Sequence, residues 1–508
     1  MSAVLRCRVL PDTYRDSIEL MRVAALIEQR PGVERAALMM GTPANRDVLA
    51  RAGLLADDGR RARPSDLVIA VSGDGESIAA ALADAEQALV RPPAIAASAR
   101  HEAPRTIAAA AATLDGANLA IISTPGPYAT AEAWKALKRG LHVFLFSDNV
   151  PIEDEIALKQ FAAGRGVLML GPDCGTAILD GVPLGFANAV RRGRIGLVGA
   201  SGTGLQEVSC LVDRLGDGVS QVIGVGGRDV DARVGGLMMI AALDRLAADP
   251  GTALIVLVSK PPAPSVMRAV LDRARASGKP IVACMLGGDG SAIRAANAIH
   301  AATLEDAAHL AVSLARGEAG AGEGTAANAG AVAGAAVHDD ALMGALARLR
   351  GLAPGRVRGL FSGGTLCHEA RLILGADGGA GAGHSAIDLG DDEFTVGRPH
   401  PMIDFRVRNE HIAAAAEEAG TAVILLDVVL GYGAHPDPAS ALVPALDRAR
   451  SARAGRPPAV VASICGVEDD PQGLGRQQRA LAAAGVVLAP SNAAAARLAA
   501  RLAAGVAA

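Results

Sequence analysis

Aromatic side chains are scarce in this chain, 2% of 508 residues with a single Trp. Single-stranded nucleic acids are held on stacking platforms of such rings, so the scarcity argues against that class of partner. Cysteines are few and scattered. Cys7, Cys174, Cys210, Cys284, Cys367 and Cys465 form no CxxC pair, which leaves neither a disulfide framework nor a zinc site. No histidine–carboxylate constellation has metal-ligand spacing, and no metal is expected. An excess of one charge is missing too: 49 basic residues against 53 acidic ones give a net charge of −4. The pairs Arg60-Arg61 and Arg191-Arg192 read as solvated turns and not as a phosphate-backbone stripe, so no nucleic-acid partner is expected. No uncharged apolar run reaches membrane-spanning length. Residues 1–30 carry Arg6, Arg8, Asp12, Arg15, Asp16 and Glu19 where a signal peptide needs an apolar core. The expectation is a soluble, cytoplasmic protein with no membrane partner.

What is abundant is small and apolar. Hydrophobic residues make up 51% and there are 60 glycines, which suits tight helix-on-sheet packing better than an aromatic ligand cage. The length implies several domains. Residues 317–337 (GEAGAGEGTAANAGAVAGAAV) are low-complexity Gly/Ala without a period and read as a flexible linker. GADGGAGAG at 375–383 reads as an exposed loop. Before the linker, apolar runs at 118–124, 142–146 and 167–170 alternate with amphipathic stretches, the βαβ pattern of a helix-covered parallel sheet. A new unit starts at 195 (IGLVG), with strands expected near 221–225, 254–258 and 281–285. The N-terminus differs: a strand at 4–10, a helix over 17–28 and a strand at 35–40 read as a small cap. After the linker, strands are expected at 357–361, 423–428, 459–464 and 486–488.

An internal repeat is visible. One copy runs GLVGASGTG (196–204), TALIVLV (252–258) and KPIVACMLGG (279–288); the other runs GLFSGGT (359–365), TAVILLD (421–427) and PPAVVASICG (457–466). The expected architecture is α/β: several doubly wound parallel-sheet domains, Rossmann-like and flavodoxin-like, with a small N-terminal α+β cap. The domain limits read 1–95 for the cap, 96–192 for a Rossmann-like domain, 193–316 for the first copy, 317–345 for the linker and 346–508 for the second copy.

The strongest chemical signals are two glycine turns, each following an expected strand and opening an expected helix: Ser201-Gly202-Thr203-Gly204 and Ser362-Gly363-Gly364-Thr365. Glycine lets an anion approach the amides, and a helix N-terminus offers free N–H groups and partial positive charge. Ser201, Gly202, Thr203, Ser362, Gly363, Gly364 and Thr365 are the candidate phosphate-binding residues. Such residues also cap helices with no ligand at all. Two matching turns in two copies favour function, because a pseudo-twofold axis would aim two helix N-termini at one anion. Neither turn is followed by the Lys of a Walker A loop.

Gly171-Pro172-Asp173-Cys174-Gly175-Thr176 and Ser123-Thr124-Pro125-Gly126-Pro127 sit at carboxyl ends of expected strands, where α/β proteins bind ligands. Thr124, Pro125, Gly171, Pro172 and Cys174 are candidate cofactor contacts; an ordinary Pro/Gly turn is the alternative. The GVGG at 224–227 is a weak dinucleotide fingerprint. His435, in a glycine-rich loop after the 423–428 strand, is placed for proton transfer or is an exposed turn residue. His400 is a weaker case of the same kind. His368 stands in the first turn of its helix, and His300 and His309 read as residues of an alanine-rich helix.

Taken together, the stretch from about 119 to 288 resembles the alpha subunit of succinyl-CoA synthetase, through GPDCG (171–175), the SGT turn with Glu207, VIGVGG (222–227) and KPIVACMLGG (279–288). GLFSGGTLCHE (359–369) is similar to the carboxyl domain of the beta subunit. The fused order, with MMGTPAN (39–45), PHPMIDFRVRN (399–409) and DVVLGYGAHPDP (427–438), resembles the FdrA family. The resemblance makes 96–192 a CoA-binding-type domain and the two copies CoA-ligase-type domains. It also implies two helices aimed at one phosphate. The departures are specific. The family's phosphohistidine segment here reads GDGSAIRAANAIH, the position of the Glu that steadies it is occupied by Lys260, and no ATP-grasp domain is present.

The resemblance implies a subunit of an oxamate carbamoyltransferase, moving the carbamoyl group of oxalurate to phosphate in purine and allantoin catabolism. Phosphate is then a substrate, His435 the base or proton shuttle, and partner subunits and an oligomer are expected. The alternatives are an ADP-forming acyl-CoA synthetase resembling succinate–CoA ligase, with CoA or nucleotide bound, and a non-catalytic scaffold or acyl-CoA sensor. A scaffold has no need of the cradle, so Gly363→Val separates the readings: it is expected to block phosphate binding by crowding and backbone strain, and turnover that survives it refutes the cradle.

Overall fold

A computed structural model describes residues 4–15, 17–90, 104–318, 353–375, 383–395, 399–451 and 457–505. The linker expected at 317–345 and the loop expected at 375–383 lie almost wholly outside them. The chain divides into two compact units, 1–104 with 392–399, and 105–391 with 400–508.

In the smaller unit, β1 (Val4–Leu10), β2 (Val33–Met40) and β3 (Leu67–Gly73) form an antiparallel sheet of order β1-β3-β2. The central strand reads LVIAVSG, apolar without alternation, because both of its faces are covered. Leu67, Ile69 and Val71 pack with Leu20, Ile27 and Ile78 on one side, and Val68 and Ala70 with Leu49, Leu54 and Leu55 on the other.

The larger unit holds three sheets. The first is parallel, ordered β4 (Leu119–Ile122), β5 (His142–Leu145), β6 (Met169–Leu170), and carries the helices Gly126–Leu137 and Ile152–Gly164. The second begins with a hairpin, β7 (Thr176–Leu179) and β8 (Val182–Gly185), turned on Asp180 and Gly181 at φ 51° and 83°. It continues through β9 (Arg192–Gly199), β10 (Val219–Gly224), β11 (Leu254–Ser259), β12 (Ile281–Met285) and β13 (Ile299–His300), in the order β13-β12-β11-β9-β10-β7-β8. His300 therefore stands in a strand, not in the helix expected from its alanine-rich neighbours. The third sheet comprises β14 (Arg356–Phe361), β15 (Ser385–Asp388), β16 (Thr421–Val429), β17 (Ala459–Cys465) and β18 (Val487–Ala489), in the order β15-β14-β16-β17-β18.

With the added hairpin set aside, both copies share one strand order, the second strand outside the first and the third on its other side. This is the flavodoxin-like doubly wound topology, and it carries the sequence repeat into three dimensions. β11 and β16 are buried along their whole length because helices cover both faces, as parallel sheets require.

The two copies pack through one continuous core, in which Leu205 and Val208 of the helix Gly202–Arg214 join Leu366 and Ala370 of the helix Gly364–Leu374. They also cap each other's helices. Glu369 of the second copy accepts the Leu304 N–H of the first at 2.7 Å, and Glu207 of the first accepts the Asn492 N–H of the second at 3.0 Å. The Asn492 amide reaches Glu369 at 2.7 Å, so one residue links both carboxyls.

The 119–170 sheet is fastened to the first copy by a buried ionic node. Lys159 Nζ lies 2.8 Å from Glu155 and 2.8 Å from Asp229, all three side chains being 0% exposed. Asp229 also accepts the first amides of the helix Leu237–Ala248, Met238 and Met239. Removing Lys159 would take the shared cation from both buried carboxylates, a loss of roughly 3–5 kcal/mol. Among the described residues no helix is long and apolar enough to cross a membrane.

Candidate active site

Each glycine turn follows the first strand of its copy, β9 or β14, at the carboxyl edge of the sheet beside the point where strand order reverses. The structure brings the two turns into contact. Ser201 Oγ and Thr365 Oγ1 share a hydrogen bond of 2.7 Å. A Cβ built on Gly363 would stand 2.9 Å from Thr203 Cγ2, and one on Gly204 would stand 3.0 Å from Thr365 Cγ2. Only glycines permit this approach of one helix start to the other. Neither helix start receives a side-chain cap. The helix N-termini therefore meet with their partial positive ends together, the arrangement that favours an anion.

The second turn differs in one respect. The amides of Ser362 and Gly363 both donate to the Asp427 carboxylate at 2.8 Å, and the Ser362 hydroxyl donates to it at 3.2 Å. Arg408 balances this charge from 2.8 Å, with both side chains 0% exposed. An internal carboxylate thus fills the first two amides of this turn, and the start of the helix at Gly364 and Thr365 is what remains for a ligand. Gly363 itself has φ −107° and ψ 113°, ordinary extended backbone, so the backbone strain expected on substitution is absent and only crowding against Thr203 remains.

Beside the first turn a narrow cleft of about 20 Å³ is lined by Cys174, Thr176, Ser201, Gly202, Gly224 and Gly226 among others. It joins the 171–176 loop to the first glycine turn. The glycines of the 222–227 run serve this approach: a Cβ on Gly224 would meet the Thr176 carbonyl at 2.2 Å, and one on Gly226 the Pro172 carbonyl at 2.4 Å. Their role is close packing of backbone. Cys174 is buried and donates to the Gly224 carbonyl at 3.2 Å; burial pushes its thiol up to about 12, which makes it a packing residue and no nucleophile. Gly171 and Pro172 shape the same loop, and Asp173 N–H donates to the Ser147 carbonyl at 2.9 Å. The Ser147 hydroxyl in turn donates to the Thr124 carbonyl. Thr124 and Pro125, which open the helix Gly126–Leu137, thus stand on the same carboxyl rim, one loop removed from the cleft.

His435 makes its contacts elsewhere. Its Nδ1 accepts the Asp437 N–H at 3.0 Å and its ring meets Phe405 edge-on at 5.4 Å. Burial lowers its basicity, so the imidazole is neutral at neutral pH. His400 lies nearer the turns: its ring stacks at 5.7 Å on Phe186, whose carbonyl accepts from Thr176 Oγ1 at 2.7 Å. Lys260 follows β11, is exposed, and its charge acts on Asp388 and Cys367 of the second copy, so a cation stands at this rim. Sequence reasoning missed Asp427 and Asp388; an Asp closing the apolar run TAVILLD was the signal available for the first.

Three family models match the chain: "CoA-ligase" over 360–502, "CoA binding domain" over 190–287, and "AllF, heavy metal-associated domain" over 1–105. The last description implies a metal. Over the matched residues 1–105 the sequence holds one cysteine, Cys7, and one histidine, His101. Cys7 is bonded to the Leu54 carbonyl and the Ala56 N–H, and burial raises its pKa. Soft metals need several thiolate or imidazole donors, so these residues do not fit one. Among the described residues no group of three or more His, Cys, Asp or Glu is set to hold a metal.

The alpha subunit of ADP-forming succinate–CoA ligase from Methanothermobacter thermautotrophicus is 30% identical over 146 residues, 28% of this chain and 48% of that protein. The chain thus spans about half the length of that relative. A dinucleotide-forming acetyl-coenzyme A synthetase of Ca. Korarchaeum cryptofilum, solved with phosphate and ADP, is a distant structural likeness at TM-score 0.33 and 16% identity, over 76% of this chain and 82% of that one. The uncharacterized protein YahF of Escherichia coli (strain K12) is 40% identical over 511 residues, 95% of this chain and 96% of its own length. With CoA-ligase and CoA-binding domains joined in one polypeptide and YahF matched from end to end, the chain belongs to the YahF family of the CoA-ligase superfamily.

Proposed function

We propose that this chain is an acyl-transferring subunit that holds phosphate where its two glycine turns meet, and that the group it moves is carbamoyl. The reaction is oxalurate plus phosphate to oxamate plus carbamoyl phosphate, the activity implied by the FdrA resemblance. The observation that carries this reading is the 2.7 Å bond between Ser201 and Thr365, which joins two uncapped helix N-termini. Amides at such termini hold a phosphate and stabilise the oxyanion of a tetrahedral intermediate; losing one donor typically costs about 2.7–4 kcal/mol of barrier. Lys260, in place of the carboxylate that steadies a phosphohistidine, suits a bound phosphate directly. Neither a nucleotide nor a phosphohistidine enters the reaction.

A second reading, an ADP-forming acyl-CoA synthetase, is favoured by the CoA-ligase and CoA-binding matches and by the succinate–CoA ligase relatives. This reading needs a partner that supplies a nucleotide site and a phosphocarrier.

The test is phosphate-dependent release of oxamate from oxalurate by the purified chain, alone and with the products of neighbouring genes, without ATP or CoA. Turnover supports the carbamoyltransferase. No turnover, together with thioester formation from ATP, CoA and a carboxylate, replaces it with the synthetase. In the same assay His435→Asn tests the proton shuttle read from the sequence: a loss of ~10²-fold keeps it, an unchanged rate removes it.

A further inference from the structure

Asp388 closes β15 next to the second glycine turn. Its Oδ1 accepts the Gly390 N–H at 2.9 Å. Its Oδ2 lies against the start of the ligand-facing helix: a Cβ on Gly364 would stand 2.5 Å from it. Three polar atoms converge on Gly390, where a Cβ would meet His400 Nε2 at 2.7 Å, the Ser362 carbonyl at 2.9 Å and Asp388 Oδ1 at 3.1 Å. His400 Nδ1 accepts the Met402 N–H at 3.2 Å, so the hydrogen of the neutral ring is on Nε2. Phe186 stacks on that ring and ties it to Thr176 at the wall of the cleft. The Asp388 carboxyl and the His400 imidazole N–H thus both face Gly390 beside the second helix N-terminus, without a hydrogen bond between them, and both residues keep part of their surface open.

We propose that Asp388 is the proton carrier of the transfer step and that His400 Nε2–H, which faces the same point at Gly390, becomes its donor and positions it once substrate is bound. The proposal rests on the reading above that an acyl group passes to phosphate at the paired turns. In the forward direction a phosphate oxygen attacks the carbamoyl carbon of oxalurate, forming the C–O bond, and the C–N bond to the oxamate nitrogen breaks. The proton of hydrogen phosphate moves to the Asp388 carboxylate and from there to the departing nitrogen. Oxalurate anion and hydrogen phosphate dianion give oxamate anion and carbamoyl phosphate dianion, so charge and protons balance with no further reactant.

The surroundings suit this work. Burial pushes the Asp388 carboxyl up to about 6, opposed by the Gly390 N–H and by Lys260 from the end of β11, and reinforced by Asp427 of β16 and Asp391 of its own loop. The Cys367 thiol, on the helix Gly364–Leu374, is pushed up to about 12 and stays neutral beside it. A carboxyl whose pKa is near the working pH both accepts and returns a proton readily. Burial holds His400 down at about 4, so at neutral pH it is a hydrogen-bond donor and carries no charge.

The experiment compares wild type, Asp388→Asn and His400→Phe in the assembled complex, with two carbamoyl donors, oxalurate and 4-nitrophenyl carbamate, and inorganic phosphate as acceptor. A nitrophenolate leaves without a proton. Asp388→Asn should lose ~100-fold in kcat on oxalurate and less than ~5-fold on the nitrophenyl ester, with a similar KM for phosphate. His400→Phe, which keeps the stack on Phe186, should move the acid limb of the kcat profile to higher pH, because the carboxylate has lost a donor. Equal losses on both donors reduce Asp388 to a structural residue and overturn the proposal, as does full activity of Asp388→Asn on oxalurate. An unmoved limb removes His400 from it. A wild-type complex inactive with both donors overturns the carbamoyl-transfer reading itself, a result separate from any difference among the variants.

Discussion

If the two turns form one site, their side chains must press on each other across the copies, and stability alone can measure this. A Cβ on Gly363 would lie 2.9 Å from Thr203 Cγ2 and 3.0 Å from its Cβ and Oγ1, where ordinary contact begins at 3.4 Å. The Gly363 backbone is in the extended region, so Gly363→Ala meets no conformational penalty. In fact alanine restricts the unfolded chain and adds about 0.4–1 kcal/mol of stability when nothing crowds it. Thr203 is 7% exposed and has no solvent to swing into, so the overlap must be absorbed by the packed turns. Overpacking of this kind costs about 1–3 kcal/mol, which outweighs the entropic gain. Gly363→Ala should therefore lower stability, and Gly363→Val more so. Thr203→Gly removes all three crowding atoms, so in that background Gly363→Ala should cost little, a coupling of about 1–2 kcal/mol. The readout is the urea midpoint at constant slope, followed by Trp134, the single Trp of the chain and a residue of the larger unit. Additivity within about 0.3 kcal/mol would mean that the turns do not press on each other, and the shared site would fall with that result.

Three further outcomes follow from buried groups. Asp427→Ala strands Arg408 and two amides without water and should cost about 3–5 kcal/mol in the same urea assay, while adding Arg408→Met should recover much of it; an equally unstable double variant would contradict the pairing. Burial pushes the Glu369 carboxyl up to about 7, against the hydrogen bonds from Asn492 and Leu304 and with help from the charge of Glu207. Because its folded value lies above the usual 4.5, its contribution to stability is full below pH 4.5 and is lost as pH rises towards about 7. Glu369→Gln should flatten the stability profile across that window; parallel wild-type and variant profiles would show that the group does not titrate there. Iodoacetamide at pH 8 should leave Cys174 unmodified in the folded chain and label it after unfolding, as mapped by peptide mass, since burial holds the thiol up at about 12.

Much of the fold was legible because parallel strands buried on both faces leave unbroken apolar runs. IVACM and TAVILLD could hardly be anything else, and their repeated order exposed the duplication. The hairpin of β7 and β8 was missed, although its Asp180-Gly181 pair is a strong two-residue turn signal, because the flanking strands are only four residues each. His300 was misjudged because its two-residue strand is held by pairing with β12 and not by local propensity. At the site, the meeting of the turns could be inferred from symmetry, which is a property of the repeat. The capture of the Ser362 and Gly363 amides by Asp427 could not. It breaks that symmetry through a residue 64 positions away, and the corresponding first-copy position, Val258, is apolar. His435 drew attention through its glycine-rich setting, whereas His400 and Asp388 acquire their interest only from what the fold places around Gly390.

Duplicated anion seats at one axis would carry a penalty of their own. Two phosphate dianions lodged at touching helix termini would repel strongly, since even two single charges 4 Å apart oppose each other by about 4 kcal/mol near a protein surface. By occupying two amides of one seat with a tethered carboxylate, neutralised from behind by Arg408, the chain makes the pair unequal. On the proposed reading, the stoichiometry to expect is a single inorganic anion per polypeptide, at a pair of motifs of which one is already partly filled from within.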